Sequence, residues 1–217
     1  MTFLKAALKA MTCAVFAGLL LWAAPAAEAA KPLKQLTAEQ SQALDEITGY
    51  LASFKNLKGE FTQVSPKGNV SRGLFFLSKP GKMRFEYAPP NPFLIVSDGT
   101  WVTIKNTKKE KGDQYPLSQT PLRLVLGDNI NIRKETNIYG IDTNDGLISV
   151  TLEDRKGNVP GYMILVYDRE RQSLQQWVVV DGKGGKTTVT LENVEQVAKV
   201  DPKLYVVKIK RKEREAK

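Results

Sequence analysis

From Leu57 onward the sequence consists of short β-prone segments, each ended by residues typical of tight turns. Glycine, proline, asparagine and aspartate supply these breaks, for example at 79–81, 98–99 and 144–146. We predict strands at residues 58–64, 70–78, 82–87, 93–97, 100–105, 135–142, 147–154, 161–168, 173–180, 186–197 and 204–209. Such regular hairpins favour a mostly antiparallel sheet.

One amphipathic helix precedes the strands. Thr37 and Gln40 have the spacing of a capping box, which marks a helix start. Apolar side chains then recur at helical spacing, at Leu44, Ile47, Leu51 and Phe54. The pattern predicts a helix at about 38–55. With many strands and one long helix, the economical architecture is a strongly curved sheet or incomplete barrel whose concave side is covered by the helix.

The hairpin around residues 79–81 allows side chains to be assigned to faces of the sheet. We expect Ser78 to pair with Met83, so that alternate positions of the two strands share a face. This register turns five large side chains inward: Leu74, Phe76, Met83, Phe85 and Tyr87. Phe75 and Leu77 then lie on the outer face. The inward set forms either an ordinary core or the lining of a ligand cavity, and the pattern leaves both open.

Several kinds of chemistry are excluded or disfavoured. The chain contains no histidine, which excludes Ser-His-Asp and Cys-His catalysis and His-containing zinc sites. A calcium-loop pattern that begins at Asp142 has its glycine one place too early, and Gly185-Lys186-Thr187 leads into a strand rather than a helix. We interpret both as turns. We therefore expect no enzyme activity, no metal and no other cofactor.

The N-terminus has the features of a secretory signal peptide. Two lysines precede an apolar run at residues 11–24, and Ala27-Glu28-Ala29 supplies a cleavage pattern. We predict a removed signal peptide at residues 1–29 and a single domain at 30–217. Cys13, the only cysteine, lies in the removed part, so the exported chain is expected to carry no thiol, disulfide or lipid anchor.

The net charge of +9 is concentrated in two basic runs, at 105–111 and 208–217. The second run could attract anionic lipid head groups or an acidic partner. A solvated chain end is the alternative, and the sequence leaves both open. Export from the cytoplasm disfavours a nucleic-acid partner.

A family resemblance rests on the segment RGLFFLSKPGKMRFEY, from Arg72 to Tyr87. The similarity continues in further segments along the chain: 59–63, 89–90, 94–101, 115–122, 193–194 and 201–202. Together they resemble the LolA family, the periplasmic carriers of outer-membrane lipoproteins. The resemblance implies an incomplete antiparallel barrel of about eleven strands lidded by helices, with a short second helix at 120–126.

The resemblance also implies a function. Such a carrier is a monomer that shields lipoprotein acyl chains in an apolar cavity, is loaded by an inner-membrane ABC transporter and unloads to a LolB-like receptor in the outer membrane. It implies lid or gating roles for Lys79, Leu44, Ile47, Leu51, Phe54, Pro121 and Leu122. Lys79 stands where many carriers have arginine, and strand parity directs it outward, which weighs against such a role.

Two other functions remain compatible with the sequence. The same fold could carry or sense another lipid. Alternatively, the protein could be a structural or inhibitory interaction protein whose interior is simply a core.

Overall fold

The computed structural model describes residues 31–128, 130–157 and 159–209. The predicted signal peptide and residues 210–217 of the basic tail lie outside the described residues. The long helix α1 (Ala38–Ser53) begins at the predicted capping box, in which the Gln40 amide donates to Thr37 Oγ1 (3.1 Å). The Thr37 amide in turn donates to Gln40 Oε1 (3.1 Å). Both bonds satisfy amides that a helix start leaves unpaired.

All the strands belong to one antiparallel sheet. The strands are β1 (Asn56–Val64), β2 (Val70–Ser78), β3 (Lys82–Tyr87), β4 (Phe93–Asp98), β5 (Trp101–Asn106), β6 (Gly112–Pro116), β7 (Thr136–Asn144), β8 (Leu147–Asp154), β9 (Gly161–Asp168), β10 (Ser173–Asp181) and β11 (Lys186–Gln196). Their order is β6-β5-β4-β3-β2-β1-β11-β10-β9-β8-β7. Because β6 and β7 are its two edges, the sheet is open. The predicted mostly-β class with eleven strands is confirmed.

Short helical segments connect β6 to β7. A 3₁₀ turn (Leu117–Gln119) is followed by α2 (Arg123–Leu126) and α3 (Ile132–Glu135). The expected short second helix is therefore present, although its helical turn begins three residues later than predicted. A second 3₁₀ turn (Pro202–Tyr205) follows β11.

The sheet curls strongly. Phe85 of β3 and Trp177 of β10 have ring centroids 5.9 Å apart, although three strands lie between β3 and β10 in the sheet. In a flat sheet four steps of about 4.8 Å would separate these strands by roughly 19 Å. β-Bulges in the β1–β11, β9–β10 and β7–β8 pairs add to the curvature. The helix α1 packs against β7, β8 and β10 with Leu44, Ile47 and Leu51 buried.

The predicted register of the β2–β3 hairpin is wrong by one residue. Ser78 pairs with Lys82, because the connection has three residues and Gly81 adopts a left-handed φ of +73°. The odd loop length reverses every face assignment on β2. Phe75 is fully buried on the concave side, whereas Leu74 is 47% exposed on the convex side. Phe76, predicted inward, also lies on the convex side.

One predicted strand is absent and one was missed. Residues 204–209 form no strand but cross the convex face, where Tyr205 is buried and its hydroxyl donates to Ser78 Oγ (2.8 Å). Arg84 Nη1 donates to Leu204 O (2.9 Å), and Lys105 Nζ donates to Lys208 O (2.9 Å). Tyr205 is therefore buried by packing and not by strand pairing, whereas Val206 is 68% exposed. The missed strand, β6, is an edge strand with little apolar alternation.

Candidate functional site

An apolar pocket of about 240 Å³ lies on the concave face of the sheet. It is lined by Gln63, Met83, Phe85, Tyr87, Ile95, Thr120, Pro121, Leu122, Trp177, Val179, Thr187 and Val189. None of these side chains carries a charge. The pocket therefore offers a ligand an almost wholly apolar wall with a few neutral polar groups at its margin.

The pocket is deep at one end and open at the other. Met83, Phe85 and Trp177 are buried at its floor, whereas Val179 and Tyr87 are half-buried. The Tyr87 hydroxyl donates to Gln63 Oε1 (2.8 Å), and burial raises the pKa of Tyr87 to about 12. Tyr87 is therefore neutral at physiological pH and adds no charge to the opening.

One wall of the pocket is formed by the segment Thr120-Pro121-Leu122, which leads directly into α2. Two contacts hold α2 in place. The Gly81 amide, at the tip of the β2–β3 hairpin, donates to Leu126 O (2.8 Å). Arg123 bridges Glu135 (2.6 Å) and the buried carboxylate of Asp154. This wall is thus attached to the sheet by polar contacts at both ends of α2.

Lys79 lies at the C-terminal end of α1. Its ammonium donates to Leu51 O and lies 4.2 Å from the centroid of the Phe54 ring. Burial lowers the pKa of Lys79 from 10.5 to about 8, and the nearby Asp128 carboxylate partly offsets this effect. The prediction that Lys79 points outward depended on the wrong register of β2 and β3. In the observed register the odd-numbered residues of β2 face the concave side, so that argument no longer applies to Lys79.

The lowered pKa predicts a pH-dependent stability difference between the wild type and Lys79→Met. Between about pH 8 and 10.5 the unfolded chain binds more protons than the folded chain, so the free energy of unfolding of the wild type rises with pH. At neutral pH both states are protonated and the cost of burying the charge is fully present. Denaturant unfolding at pH 7 and pH 10 should therefore show the wild type gaining stability relative to Lys79→Met. An unchanged difference would mean that Lys79 titrates normally.

The structure brings together only part of the predicted site. Met83, Phe85, Tyr87, Pro121 and Leu122 line the pocket. Leu74 and Phe76 do not, because the register places them on the convex face. The helix residues Leu44, Ile47, Leu51 and Phe54 are buried in the core and do not line this pocket.

The sequence analysis missed the half of the pocket that comes from β10 and β11. Trp177 pairs with Val189, and Val179 pairs with Thr187, so all four share the concave face. The alternation of the hairpin around 182–185 could have identified them as one face. It could not have shown that β10 curls back to meet β3.

Two kinds of feature are absent from the described part of the chain. No cluster of three or more side chains suited to a metal ion occurs there. The described residues also contain no helix that is long and apolar enough to cross a membrane.

An open antiparallel sheet whose concave face bears an uncharged apolar pocket is an architecture that can hold an apolar ligand. The chain belongs to the LolA family, since the family described as outer membrane lipoprotein carrier protein LolA matches residues 52–208. Carriers of this family are periplasmic and non-enzymatic.

Individual relatives are distant. An outer-membrane lipoprotein carrier protein of Cupriavidus pinatubonensis is 30% identical over 117 residues, covering 48% of this chain and 55% of the relative. An outer-membrane lipoprotein carrier protein of Pseudomonas paraeruginosa is 26% identical over 189 residues, covering 77% of this chain and 84% of the relative. The chain spans little more than half of the length of some curated relatives, 51% to 58% for three of them. The crystal structure of a LolA-superfamily protein from Nitrosomonas europaea aligns with a TM-score of 0.46 at 8% identity, covering 80% of this chain and 99% of that one.

Proposed function

We propose that this protein is a periplasmic carrier that shields the acyl chains of lipoproteins in the concave pocket and moves them from the inner to the outer membrane. The observation that carries the proposal is the uncharged apolar pocket between β3 and β10. Membership of the LolA family supports the same cargo class. Lipoproteins are the proposed cargo, an inner-membrane ABC transporter the proposed donor and a LolB-like lipoprotein receptor the proposed acceptor.

The need for a carrier follows from the cost of exposing acyl chains to water. At about 0.8 kcal/mol per methylene, a chain of about 15 methylenes costs roughly 12 kcal/mol to expose. Unaided transfer between two membranes is therefore negligible. A pocket that buries part of each chain lowers this cost, and loose binding leaves the cargo free to move on to an acceptor.

The pocket in this structure is too small for such cargo. Its 240 Å³ falls below the roughly 300–1,000 Å³ of ordinary small-molecule sites. Acyl chains therefore require the pocket to widen. The movable part is the wall at Thr120-Pro121-Leu122, because it belongs to the connection between β6 and β7 and the other walls are paired strands.

We propose that Lys79 helps to hold the pocket in this narrow state. Its hairpin donates from Gly81 to Leu126 O at the end of α2, and Lys79 itself donates to Leu51 O of α1. The same hairpin thus joins both helices that cover the concave face. A hydrogen bond from a charged donor contributes about 1.5–3 kcal/mol, enough to shift an open–closed equilibrium tenfold or more.

Lys79→Leu is expected to load cargo at least as well as the wild type but to release it poorly, because closure no longer favours the empty state. The measurement uses spheroplasts that hold a labelled triacylated lipoprotein in the inner membrane. Purified carrier is added, released lipoprotein is quantified, and outer-membrane vesicles are then added to measure transfer. Lys79→Arg, which keeps the charged donor, should retain transfer. Equal loading and transfer by wild type and Lys79→Leu would show that Lys79 does not gate the pocket.

This assay also tests the carrier function itself. If the wild type releases no lipoprotein from spheroplasts but binds free fatty acids or glycolipids, the protein carries another lipid. If it binds no acyl ligand at all, the concave face is only a core, as expected of a structural or inhibitory protein.

A further inference from the structure

Several turns lie at the end of the sheet where the pocket residues Gln63, Tyr87 and Thr187 are found. They are residues 65–69, 88–92, 107–111, 155–157 with 159–160, and 182–185, and we call them the basic rim. The Thr107 amide donates to Pro92 O (2.8 Å), and Asn91 Nδ2 donates to Ser71 Oγ (3.0 Å), which connects the second and third turns to the start of β2. Gly161 pairs with Asp181, so the last two turns are neighbours as well.

The charges on these turns are predominantly positive. Six exposed lysines project from them: Lys67, Lys108, Lys109, Lys111, Lys156 and Lys183. Within the described ranges none of the six forms a salt bridge. Four carboxylates lie at the same end, on Glu110, Asp113, Asp154 and Asp181, and that of Asp154 is buried against Arg123. The turns and strand ends at the opposite end carry both signs, among them Asp98, Asp145, Asp168 and Glu170 and also Lys79, Lys82, Arg169 and Arg171.

Exposed apolar side chains accompany the rim lysines. Val70, Phe93 and Tyr162 are 56%, 45% and 38% exposed, and each is the first or second residue of a strand that begins at the rim. Aromatic rings next to lysines are typical of surfaces that rest at the boundary between lipid head groups and acyl chains. Burying these side chains in a membrane surface would remove them from water.

Lys208, the first residue of the second basic run, lies at the same end of the sheet. Lys105 Nζ donates to Lys208 O (2.9 Å), at the end of β5 that leads into the turn 107–111. Lys208 is therefore adjacent to the first basic run, although about a hundred residues separate them in sequence. The charge of this exposed lysine adds to the positive potential at the rim.

We propose that the basic rim is a docking surface for a membrane rich in anionic phospholipids. The rim cations are lysines on exposed turns, which suit the diffuse negative charge of a lipid surface. Recognition of carboxylates on an acidic protein would favour paired arginine forks. The rim arginine, Arg155, instead donates to the backbone carbonyls of Arg133 (3.0 Å) and Thr136 (2.8 Å). Docking would place the pocket residues Gln63, Tyr87 and Thr187, which lie at this end of the sheet, near the bilayer.

The test is co-sedimentation of the purified protein with vesicles of phosphatidylcholine alone or of phosphatidylcholine with phosphatidylglycerol, at low and at high salt. Binding should require phosphatidylglycerol and should weaken with salt. Each lysine near an anionic surface contributes about five-fold in affinity. The triple variant Lys108→Gln/Lys109→Gln/Lys183→Gln should therefore bind the phosphatidylglycerol vesicles with an affinity lower by on the order of 100-fold. These turn lysines are exposed, and an unchanged melting temperature confirms that the variant is folded.

The matched control removes three exposed lysines away from the rim. Lys55→Gln/Lys199→Gln/Lys203→Gln changes the net charge equally and should bind within about two-fold of the wild type. Phe93→Ser should weaken the binding that remains at high salt. Equal losses in the two triple variants, or equal binding to phosphatidylcholine alone, would overturn the proposal. Because the assay contains no lipoprotein and no receptor, failure here leaves the proposed carrier function untouched.

Discussion

Val179→Phe is expected to lower the affinity for acyl chains by about two orders of magnitude. Val179 is half-buried and lines the pocket, so the larger ring can enter the 240 Å³ space without displacing a core side chain. If the ring displaces about four methylenes of ligand, the loss is roughly 3 kcal/mol, or about 100-fold. Displacement of a fluorescent fatty-acyl probe by a triacylated lipopeptide measures the dissociation constant.

The matched control is Val178→Phe. Val178 is the preceding residue of β10, pairs with Thr188 and faces the convex side, where it is also half-buried. The same substitution there should leave the dissociation constant unchanged. If both variants bind as tightly as the wild type, acyl chains do not occupy this pocket. If both lose binding, the effect comes from β10 as a whole and not from the pocket.

Phe75→Ala is expected to cost about 3–5 kcal/mol of unfolding free energy, typical of deleting a buried aromatic ring. Phe75 is fully buried and stacks on Phe85 with a centroid distance of 5.9 Å. Phe76→Ala is the control, because Phe76 lies half-buried on the convex face and should cost much less. Urea unfolding of both variants compares the two. The register predicted from the hairpin sequence gives the opposite order, so a larger loss at Phe76 would contradict the structure.

Local signals in the sequence were sufficient to predict α1 and ten of the eleven strands. The capping box of Thr37 and Gln40 marks the start of α1 because it satisfies amides within one turn of the chain. The turns that separate nearly all the strands could be predicted as well, because the backbone preferences of glycine and proline are local. Antiparallel order then follows from the short connections between successive strands.

The register of β2 and β3 could not be predicted in the same way. It depends on whether the loop has an even or an odd number of residues, and one additional loop residue exchanges the two faces of β2 relative to β3. The strand β6 was missed because an exposed edge strand needs no apolar alternation. The segment 204–209 has such alternation, yet it packs across the convex face under constraints set by residues 120 positions away in sequence.

The pocket was only half predictable for a related reason. Met83, Phe85 and Tyr87 form one strand face and follow from alternation within β3. Their partners Trp177 and Val179 meet them only because the sheet curls, and the curl is the sum of many small twists and bulges. No local sequence pattern predicts the total curvature of the sheet. The position of Lys79 beside Phe54 has the same origin, since it requires α1 and the hairpin to meet in three dimensions.

The most direct test of the carrier account is native mass spectrometry of the protein isolated from the periplasm without detergent. The account predicts an additional mass that corresponds to an acylated lipoprotein on the wild type and on Val178→Phe, and its loss from Val179→Phe. Extraction and fragmentation of the bound species would identify its acyl chains. A wild-type protein that carries no lipid-linked species, and that gains none after incubation with inner membranes and ATP, would contradict the account.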